Sequence, residues 1–278
     1  MPRNKFKPPY SVFAEFYDQV ADPLRDPNAR ARGKILQLLL PRRSVGSRRA
    51  SKRFSGPGSQ IVSCDLCCGT GTTALEFARR GLRVYAVDGS RDMLAVARAK
   101  FAKAGANVQT SHADMRSFRL PEPVDLVTCE FDAINHLKRK RDLELVARAV
   151  AQALRPGGWF FFDANTRRCF QKLWVMNWIQ QRPGFFMAAC GGYDRRRDKG
   201  WTEFNWFVPD ATAAKGLLRQ YVEHYEEVAW SKDEIRSALS RAGLRVRGCW
   251  DLVQFAVGAP WAMPGCRYFW LAEKRSGK

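Results

Sequence analysis

The segment "IVSCDLCCGTGTTALEFARRGLRVYAVDGS", residues 61–90, contains two apolar, β-type runs separated by a glycine turn and a helical pattern. Asp65 lies near the end of the first run and Asp88 at the end of the second. Parallel neighbouring strands need a connection of about a dozen residues, usually a helix, so this order predicts a right-handed βαβ unit. Because the carboxyl ends of parallel strands meet at one edge of a sheet, we expect both aspartates beside the glycine turn.

The same alternation continues from residue 60 to residue 163 and predicts a doubly wound α/β region with a parallel sheet. After it comes an aromatic stretch from Cys169, interpreted as helical, and then runs typical of antiparallel strands. The pair Ser231 and Glu234 has the spacing of a capping box and predicts a helix before the last strands. Towards the amino terminus, Ser11 is expected to open an amphipathic helix.

Net charge and composition indicate which partners the protein is suited to bind, but they say little about any reaction that it catalyses. The 278 residues carry a formal charge of +20, which favours acidic partners such as nucleic acid. The basic stretch 41–60 is interpreted as a solvated connector, with nucleic-acid binding as the alternative. Eight cysteines, mostly in apolar runs, and the lack of a run of about 18 uncharged apolar residues predict a cytoplasmic protein without membrane insertion. We expect a monomer or a homodimer.

The glycine turn has the G-x-G-x-x-A spacing of a dinucleotide site, in Gly69, Gly71 and Ala74. Asp65 argues against a dinucleotide, because a carboxylate there would repel a pyrophosphate. A phosphate-free nucleoside with positive charge fits better, and S-adenosylmethionine (SAM) is such a ligand. Asp88 is then expected to accept hydrogen bonds from the ribose hydroxyls and Asp65 to face the methionine end. For Asp65 alone, a helix N-cap is the alternative.

Further positions agree with this ligand. Asp114 ends the third strand-like run, where its carboxylate is expected to accept the adenine amino group, with Met115 beside it. Met93 either packs on the adenine face or fills the core. The complete predicted cofactor set is Asp65, Cys67, Gly69, Gly71, Asp88, Gly89, Met93, Asp114, Met115, Glu130 and Phe131.

Five motifs occur in order and in register over residues 61–166: "VSCDLCCGTGTTALEFARRG", "VYAVDGSRDML", "HADMRSF", "DLVTCEFDAINHL" and "LRPGGWFFFDANT". They resemble the successive motifs of class I SAM-dependent methyltransferases. The resemblance implies a seven-stranded Rossmann-like sheet whose last strand runs antiparallel, with "RYFWLAEK" as that strand. Cys67 departs from the family, which often has glycine there. The C-x-x-C spacing of Cys64 and Cys67 lacks a second ligand pair, so we predict no metal site.

A weaker resemblance extends outward, to the deoxysugar amine N,N-dimethyltransferases among bacterial small-molecule enzymes. It implies a lid formed by "YSVFAEFYDQV" and antiparallel strands over the substrate after the fifth sheet strand. The predicted domains are 1–59, the N-terminal helical lid and basic loop; 60–166, the SAM-binding Rossmann-like core; 167–230, the antiparallel substrate-covering insertion; and 231–278, the C-terminal helix and strands.

His136 follows the fourth strand and is the preferred general base, because an unperturbed histidine titrates near neutrality. Tyr10 of the lid is the second catalytic candidate. For both, a purely structural role is the alternative. The predicted substrate contacts are Tyr17, Asn135, Arg167 and Trp174.

The sequence therefore predicts methyl transfer from SAM to a small molecule, most plausibly an amine. The charge of +20 keeps an RNA methyltransferase as an alternative, although the "[DN]PPY"-type motif of many base-methylating enzymes is replaced by "EFDAINH". A non-catalytic SAM-binding protein is the third possibility.

Overall fold

The computed structural model describes residues 6–21, 27–39, 60–210, 216–256 and 262–276. The basic stretch predicted over 41–60 lies outside these residues except for Gln60. Among the helices of the described ranges, none is both long and apolar enough to cross a membrane.

Twelve strands and seven α-helices are described. The strands are β1 (Phe6–Lys7), β2 (Val62–Leu66), β3 (Arg83–Asp88), β4 (Val108–His112), β5 (Val124–Cys129), β6 (Leu154–Asn165), β7 (Trp178–Arg182), β8 (Phe185–Asp194), β9 (Lys199–Pro209), β10 (Leu218–Val228), β11 (Leu244–Asp251) and β12 (Arg267–Lys274). The helices are α1 (Phe13–Ala21), α2 (Pro27–Leu39), α3 (Thr72–Arg79), α4 (Arg91–Lys103), α5 (Lys140–Ala153), α6 (Arg167–Lys172) and α7 (Lys232–Arg241), with short 3-10 helices at Ala133–His136 and Leu252–Gln254.

The larger sheet has the strand order β11-β12-β6-β5-β2-β3-β4. Strand β12 runs antiparallel to both of its neighbours, β11 and β6, and the pairs from β6 to β4 are parallel. This confirms the predicted seven-stranded Rossmann-like sheet with an antiparallel last strand. Every residue of the central strands β2 and β5 is buried, as expected for parallel strands covered on both faces. The chain reverses its direction across the sheet between β2 and β5, which places the ligand crevice at their carboxyl ends.

Glycines fix the turns around the first helices. Gly81 (φ 83°) and Gly105 (φ 60°) follow α3 and α4 with positive φ, as predicted for helix ends. Gly71 (φ 78°) precedes α3, and a Cβ on it would lie 2.4 Å from Cζ of Phe101. The turn into α3 therefore needs glycine for backbone conformation and for space.

The smaller sheet has the order β1-β10-β9-β8-β7 and supplies the predicted antiparallel insertion after β6. Only β1 is parallel to its neighbour in this sheet. The helical interpretation from Cys169 is right only up to Lys172, because Trp178–Arg182 pairs with β8 instead of continuing the helix. Helix α1 packs its aromatic face, including Phe13 and Phe16, on this sheet.

Helix α1 begins at Phe13, two residues later than predicted, and its cap is not Ser11 but a distant carboxylate. The backbone N–H groups of Val12 and Phe13 donate to Oε1 and Oε2 of Glu223 on β10, at 2.9 and 3.1 Å. Nε1 of Trp206 donates to the same Oε2 at 2.9 Å. A buried glutamate of the small sheet thus holds the amino end of α1.

The capping box of α7 is present as predicted, with the Ser231 side chain accepting from the Glu234 backbone and Glu234 accepting from the Ser231 backbone.

Candidate active site

A cavity of about 290 Å³ lies at the carboxyl ends of β2, β3 and β5 and is called the glycine-turn cavity here. Most of the predicted cofactor residues and both predicted catalytic residues line it. Its lining includes Tyr10, Tyr17, Asp65, Cys67, Gly69, Asp88, Gly89, Met93, Met115, Glu130, Phe131 and His136.

Asp88 is held rigidly at one end of this cavity. Its Oδ2 accepts the backbone N–H of Gly69 at 2.8 Å, and its Oδ1 accepts that of Ser90 at 2.7 Å. Burial raises the pKa of Asp88, and these backbone hydrogen bonds oppose the rise. A carboxylate oxygen has two lone pairs, so Asp88 keeps acceptor capacity towards a diol in the cavity.

Asp65 and Glu130 each direct a carboxylate into the cavity lining, and each keeps an unsatisfied oxygen. Oδ1 of Asp65 accepts the Thr128 hydroxyl at 2.9 Å, whereas Asp65 Oδ2 and Glu130 Oε1 are buried without a hydrogen-bond partner among the described residues. Burial raises the pKa of Asp65 to about 7, against the lowering effects of Thr128 and Arg32. Buried acceptors without partners are rare, so both oxygens are open to a donor in the cavity.

Arg32 of α2 lies behind the two acids and was not predicted. Its Nη1 donates to Glu130 Oε2 at 2.5 Å, and its Nε donates to Glu76 Oε2 at 3.0 Å. Although burial lowers the pKa of Arg32, the charges of Glu130 and Glu76 raise it above its usual value. Arg32 therefore stays protonated and offsets part of the acidic charge of the cavity.

Cys67 occupies the turn after β2 with φ 57°, a conformation that glycine adopts more easily. It lines the cavity, and its thiol hydrogen-bonds with that of Cys129, which together with burial raises the pKa of Cys67. Met93 is 2% exposed and its Sδ lies 4.0 Å from the position of a Cβ on Gly69. The thioether is both packed in the core and part of the cavity lining.

A second cavity of about 260 Å³, the aromatic cavity, adjoins the first. The two share Tyr10, Tyr17 and Phe131. The aromatic cavity includes the predicted substrate residue Trp174, and its other rings are those of Phe13, Trp178, Phe204 and Tyr225. Two acids, Asp132 and Glu227, also line it.

Tyr10 and His136 form a hydrogen-bonded pair where the two cavities meet. Oη of Tyr10 and Nε2 of His136 are 2.8 Å apart, and Glu227 Oε1 is 3.4 Å from the same nitrogen. Burial lowers the pKa of His136, so the imidazole is neutral near pH 7. Burial also raises the pKa of Tyr10, which remains a phenol. With Nε2 assigned as unprotonated, Tyr10 donates to His136.

Glu227 is 3% exposed, and its Oε2 has no hydrogen-bond partner among the described residues. Burial first, and the charge of Asp132 next, raise its pKa well above the usual range. A cation in the aromatic cavity would stabilise the ionised form of this acid.

The turn after β5 places these groups. Phe131 (φ 59°) and Asp132 (φ 50°) are consecutive residues in the left-handed region, which is strained for residues other than glycine. Two side chains stabilise this strained turn. Oδ2 of Asp163 accepts the Asp132 backbone N–H at 3.0 Å, and Nη2 of Arg267 donates to Asp132 Oδ2 at 2.8 Å.

Comparison with known proteins assigns the large sheet to the same methyltransferase fold that the sequence motifs indicate. Residues 64–158 match the family model described as "Methyltransferase domain". A methyltransferase structure from Clostridium acetobutylicum superposes with a TM-score of 0.72 at 21% identity, covering 96% of this chain and 99% of that one. Residues 64–158 therefore form a methyltransferase domain, and the large sheet has the class I fold.

Two further comparisons show how much of the chain is similar to known proteins. The SAM-bound amino pentose methyltransferase from Micromonospora echinaspora shares the fold with a TM-score of 0.68 at 20% identity, over 99% of each chain. The ubiquinone biosynthesis O-methyltransferase of Aeromonas salmonicida is 30% identical over 142 residues, 50% of this chain and 56% of that protein. The chain spans about half the length of the curated relatives that it matches.

Two of the predicted cofactor contacts lie outside the lining of the glycine-turn cavity. The Asp114 carboxylate is paired with Arg116, with Nη2 and Oδ2 2.5 Å apart, and its contact with adenine stays a prediction. Gly71 also lies outside the lining and serves the turn against Phe101.

Two of the predicted substrate contacts, Asn135 and Arg167, also lie outside the glycine-turn and aromatic cavities. Asn135 is fully buried: its Nδ2 donates to the carbonyls of Asn165 and Val228 at 2.9 and 2.8 Å, and its Oδ1 accepts the Asn165 N–H at 2.9 Å. The Asn135 amide thus ties the 3-10 helix to β6 and β10 and is not free for a substrate. Arg167 is exposed, pairs with Asp198 and lines neither of the two cavities.

Glu227 was not among the residues predicted from the sequence, although the alternation of residues along β10 indicates it. Glu223, Tyr225 and Glu227 alternate along the strand and are all buried. Two glutamates on the inward face of a strand are unusual, since buried carboxylates need partners or a function. On β10 of the smaller sheet, Glu223 caps α1 and Glu227 approaches His136.

Proposed function

We propose that this chain is a SAM-dependent methyltransferase that transfers a methyl group to the nitrogen of a small-molecule amine. One observation carries the proposal: the glycine-turn cavity and the acid-lined aromatic cavity meet at Tyr10, next to His136. Such an arrangement lets a methyl donor and an acceptor approach each other from opposite sides.

The glycine-turn cavity fits SAM at both of its ends. Asp88 would hold the ribose diol, and the unsatisfied oxygen of Asp65 would accept the α-ammonium of the methionine portion. Glu130 adds a second unsatisfied oxygen at the same wall. SAM, when bound, supplies an activated methyl group on a sulfonium.

The aromatic cavity favours a cationic amine over a neutral hydroxyl acceptor. Its rings give apolar and cation–π contacts, and Glu227 gives a buried carboxyl whose ionisation an ammonium would stabilise. A phenol or alcohol would bring no positive charge to stabilise the ionised form of that carboxyl. The match to an O-methyltransferase does not decide the acceptor, since it covers only 50% of this chain and 56% of that protein.

An amine is protonated near neutral pH and must lose a proton before its lone pair attacks. Tyr10 is in both cavities, whereas His136 lines only the glycine-turn cavity. The N–H proton would pass to Tyr10 Oη as the hydroxyl proton passes to His136 Nε2, 2.8 Å away. The freed amine is then aligned with the methyl group, and alignment supplies most of the remaining catalysis.

The cofactor assignment is tested by calorimetric titration with S-adenosylhomocysteine. Asp88→Ala should weaken binding severely, because the ribose hydroxyls lose their acceptor. Asp92→Ala is the matched control, since Asp92 is an exposed carboxylate on α4 outside the cavity lining. Equal affinity of Asp88→Ala and Asp92→Ala would reject the assignment.

The acceptor class is tested with labelled SAM and three separate fractions: small-molecule amines, small-molecule phenols and alcohols, and RNA. Label in the amine fraction is expected. Label confined to the hydroxyl fraction would overturn the amine, and label confined to RNA would show that the charge of +20 serves an RNA substrate. Cofactor binding without any transfer would show a binding protein rather than an enzyme.

A further inference from the structure

A third cavity, of about 320 Å³, lies between the end of β6, the start of α7 and the start of β12. We call it the basic cavity. It has no lining residue in common with the glycine-turn or the aromatic cavity. One side chain connects it to the aromatic cavity: Asn165 lines the basic cavity and donates to Asp132. The proposed methyl transfer uses none of its space.

Aromatic side chains form much of the wall of the basic cavity. They belong to Trp230, Tyr268 and Trp270. Trp230 is anchored because its Nε1 donates to the carbonyl of Ile134 at 3.0 Å. Trp270 is 1% exposed, stacks on Phe162, and keeps an Nε1–H without a hydrogen-bond partner in the described part of the chain. Buried indole N–H groups usually have a partner, so this donor is unsatisfied in a rigid aromatic wall.

Positive charge surrounds the same space. Arg167, Arg168 and Lys232 line it, and no aspartate or glutamate does so among the described residues. Arg167 is paired with Asp198, outside the lining. For Arg168 and Lys232, no carboxylate oxygen of the described ranges lies within ion-pair distance. The Lys232 ammonium instead lies 3.5 Å from the centre of the Tyr268 ring.

These observations define the chemistry of an occupant. A planar ring would pack on the aromatic wall, and an attached anionic group would neutralise Arg168 and Lys232. A neutral ligand would offer these two cations no carboxylate partner, and a cationic ligand would be repelled. We propose that the basic cavity is a second ligand site, separate from the methyl-transfer site, for a planar aromatic anion such as an aryl carboxylate.

The test is calorimetric titration with 2-naphthoate, and with the neutral 2-naphthamide as the matched ligand. One site selective for the carboxylate is expected, with the same affinity in the presence of saturating S-adenosylhomocysteine. Lys232→Gln and Arg168→Gln should each weaken 2-naphthoate binding about three-fold or more, because each removes a partly exposed charge partner. Lys103→Gln is the control, since Lys103 is an exposed cation at the end of α4 and does not line the cavity.

Four outcomes would overturn the proposal. Absence of binding at millimolar 2-naphthoate would show that no such site exists. Equal affinity for 2-naphthamide would show an apolar cavity without charge recognition. An equal loss in Lys103→Gln would show attraction by net charge alone, and displacement by S-adenosylhomocysteine would place the ligand in the glycine-turn cavity. Thermal melting of the variants verifies that they are folded, and a glutamine at these surface positions leaves the core unchanged.

Discussion

Substitution of Glu223 by glutamine tests how α1 is held over the two cavities. Each carboxylate oxygen of Glu223 accepts from the N-terminal segment, Oε1 from Val12 N–H and Oε2 from Phe13 N–H, and Oε2 also accepts from Trp206 Nε1–H of β9. A glutamine amide offers its oxygen to one side only and presents an NH₂ group to the donors on the other. One or two buried donors then lose their acceptor, at about 1–3 kcal/mol each.

Relief of a buried charge offsets part of this loss, because burial raises the pKa of Glu223 and its ionised form is therefore costly to bury. We expect a net destabilisation of α1 docking of about 2–4 kcal/mol. Hydrogen exchange of the Val12 and Phe13 amides measures it, and their protection should fall about 30- to 1,000-fold. Since Tyr10 and Tyr17 are carried by the same segment, the methyl-transfer rate should fall with it.

Glu203→Gln is the matched control on the neighbouring strand β9. Its carboxylate accepts from Asn205 and is only half-buried, so this change should leave the exchange of both amides unaltered. Unaltered protection in Glu223→Gln would refute the capping role and leave aromatic packing as the force that holds α1.

Three further predictions concern the proposed cofactor site, the proton path and the glycine turn. Asp65→Asn should weaken S-adenosylhomocysteine binding about ten- to hundred-fold. In the parent protein that affinity should rise as the pH passes through about 7 and level off above it, because burial raises the pKa of Asp65 to about 7 and only the ionised form attracts an ammonium. Calorimetry from about pH 6 to about pH 8 should show this rise in the parent protein and a flat profile in Asp65→Asn. Tyr10→Phe keeps the ring but loses the hydroxyl next to His136, and single-turnover kinetics should show transfer slowed about ten- to hundred-fold with cofactor affinity unchanged. Gly71→Ala should lower the free energy of unfolding in urea by about 2–4 kcal/mol, since its Cβ would meet Phe101 and its φ is positive.

Each of these has a contradicting result. A pH-dependent affinity retained in Asp65→Asn would assign the titration to another acid, with Glu130 the next to test, because burial raises the pKa of Glu130 to about 8. Undiminished transfer in Tyr10→Phe would leave His136 to act without the hydroxyl. An unfolding midpoint unchanged in Gly71→Ala would mean that α4 can move away from the turn.

The sequence by itself determined the large sheet and one half of the site. Segment 61–90 has the length, periodicity and glycine spacing of a βαβ unit, and parallel strands necessarily bring Asp65 and Asp88 to one edge. Gly69 and Glu130 follow from strand ends and Met93 from the helix after β3, all within one contiguous stretch, whereas Tyr10 and Tyr17 reach the glycine-turn cavity from the N-terminal segment. The family model covers this same part of the chain, at residues 64–158.

The strand-end rule did not foresee the hydrogen-bond partners of two of the side chains that it selected. It placed Asp114 at the third strand's end, but Arg116, two residues later, takes both carboxylate oxygens. It also placed Asn135 in the ligand crevice, but backbone groups of β6 and β10 use up its amide. Hydrogen-bond competition of this kind depends on which groups come within about 3 Å, and spacing along the chain does not specify it.

Only the tertiary structure decided the long-range contacts around the two cavities. Arg32 meets Glu130 across 98 residues, Tyr10 meets His136 across 126, and Glu223 meets Val12 across 211. Each of these contacts joins separately folded segments, and no local periodicity encodes a partner so far away. The strand pattern of β10 shows that Glu223 and Glu227 point inward, but what lies opposite them is fixed by how the small sheet packs on α1 and on the turn after β5.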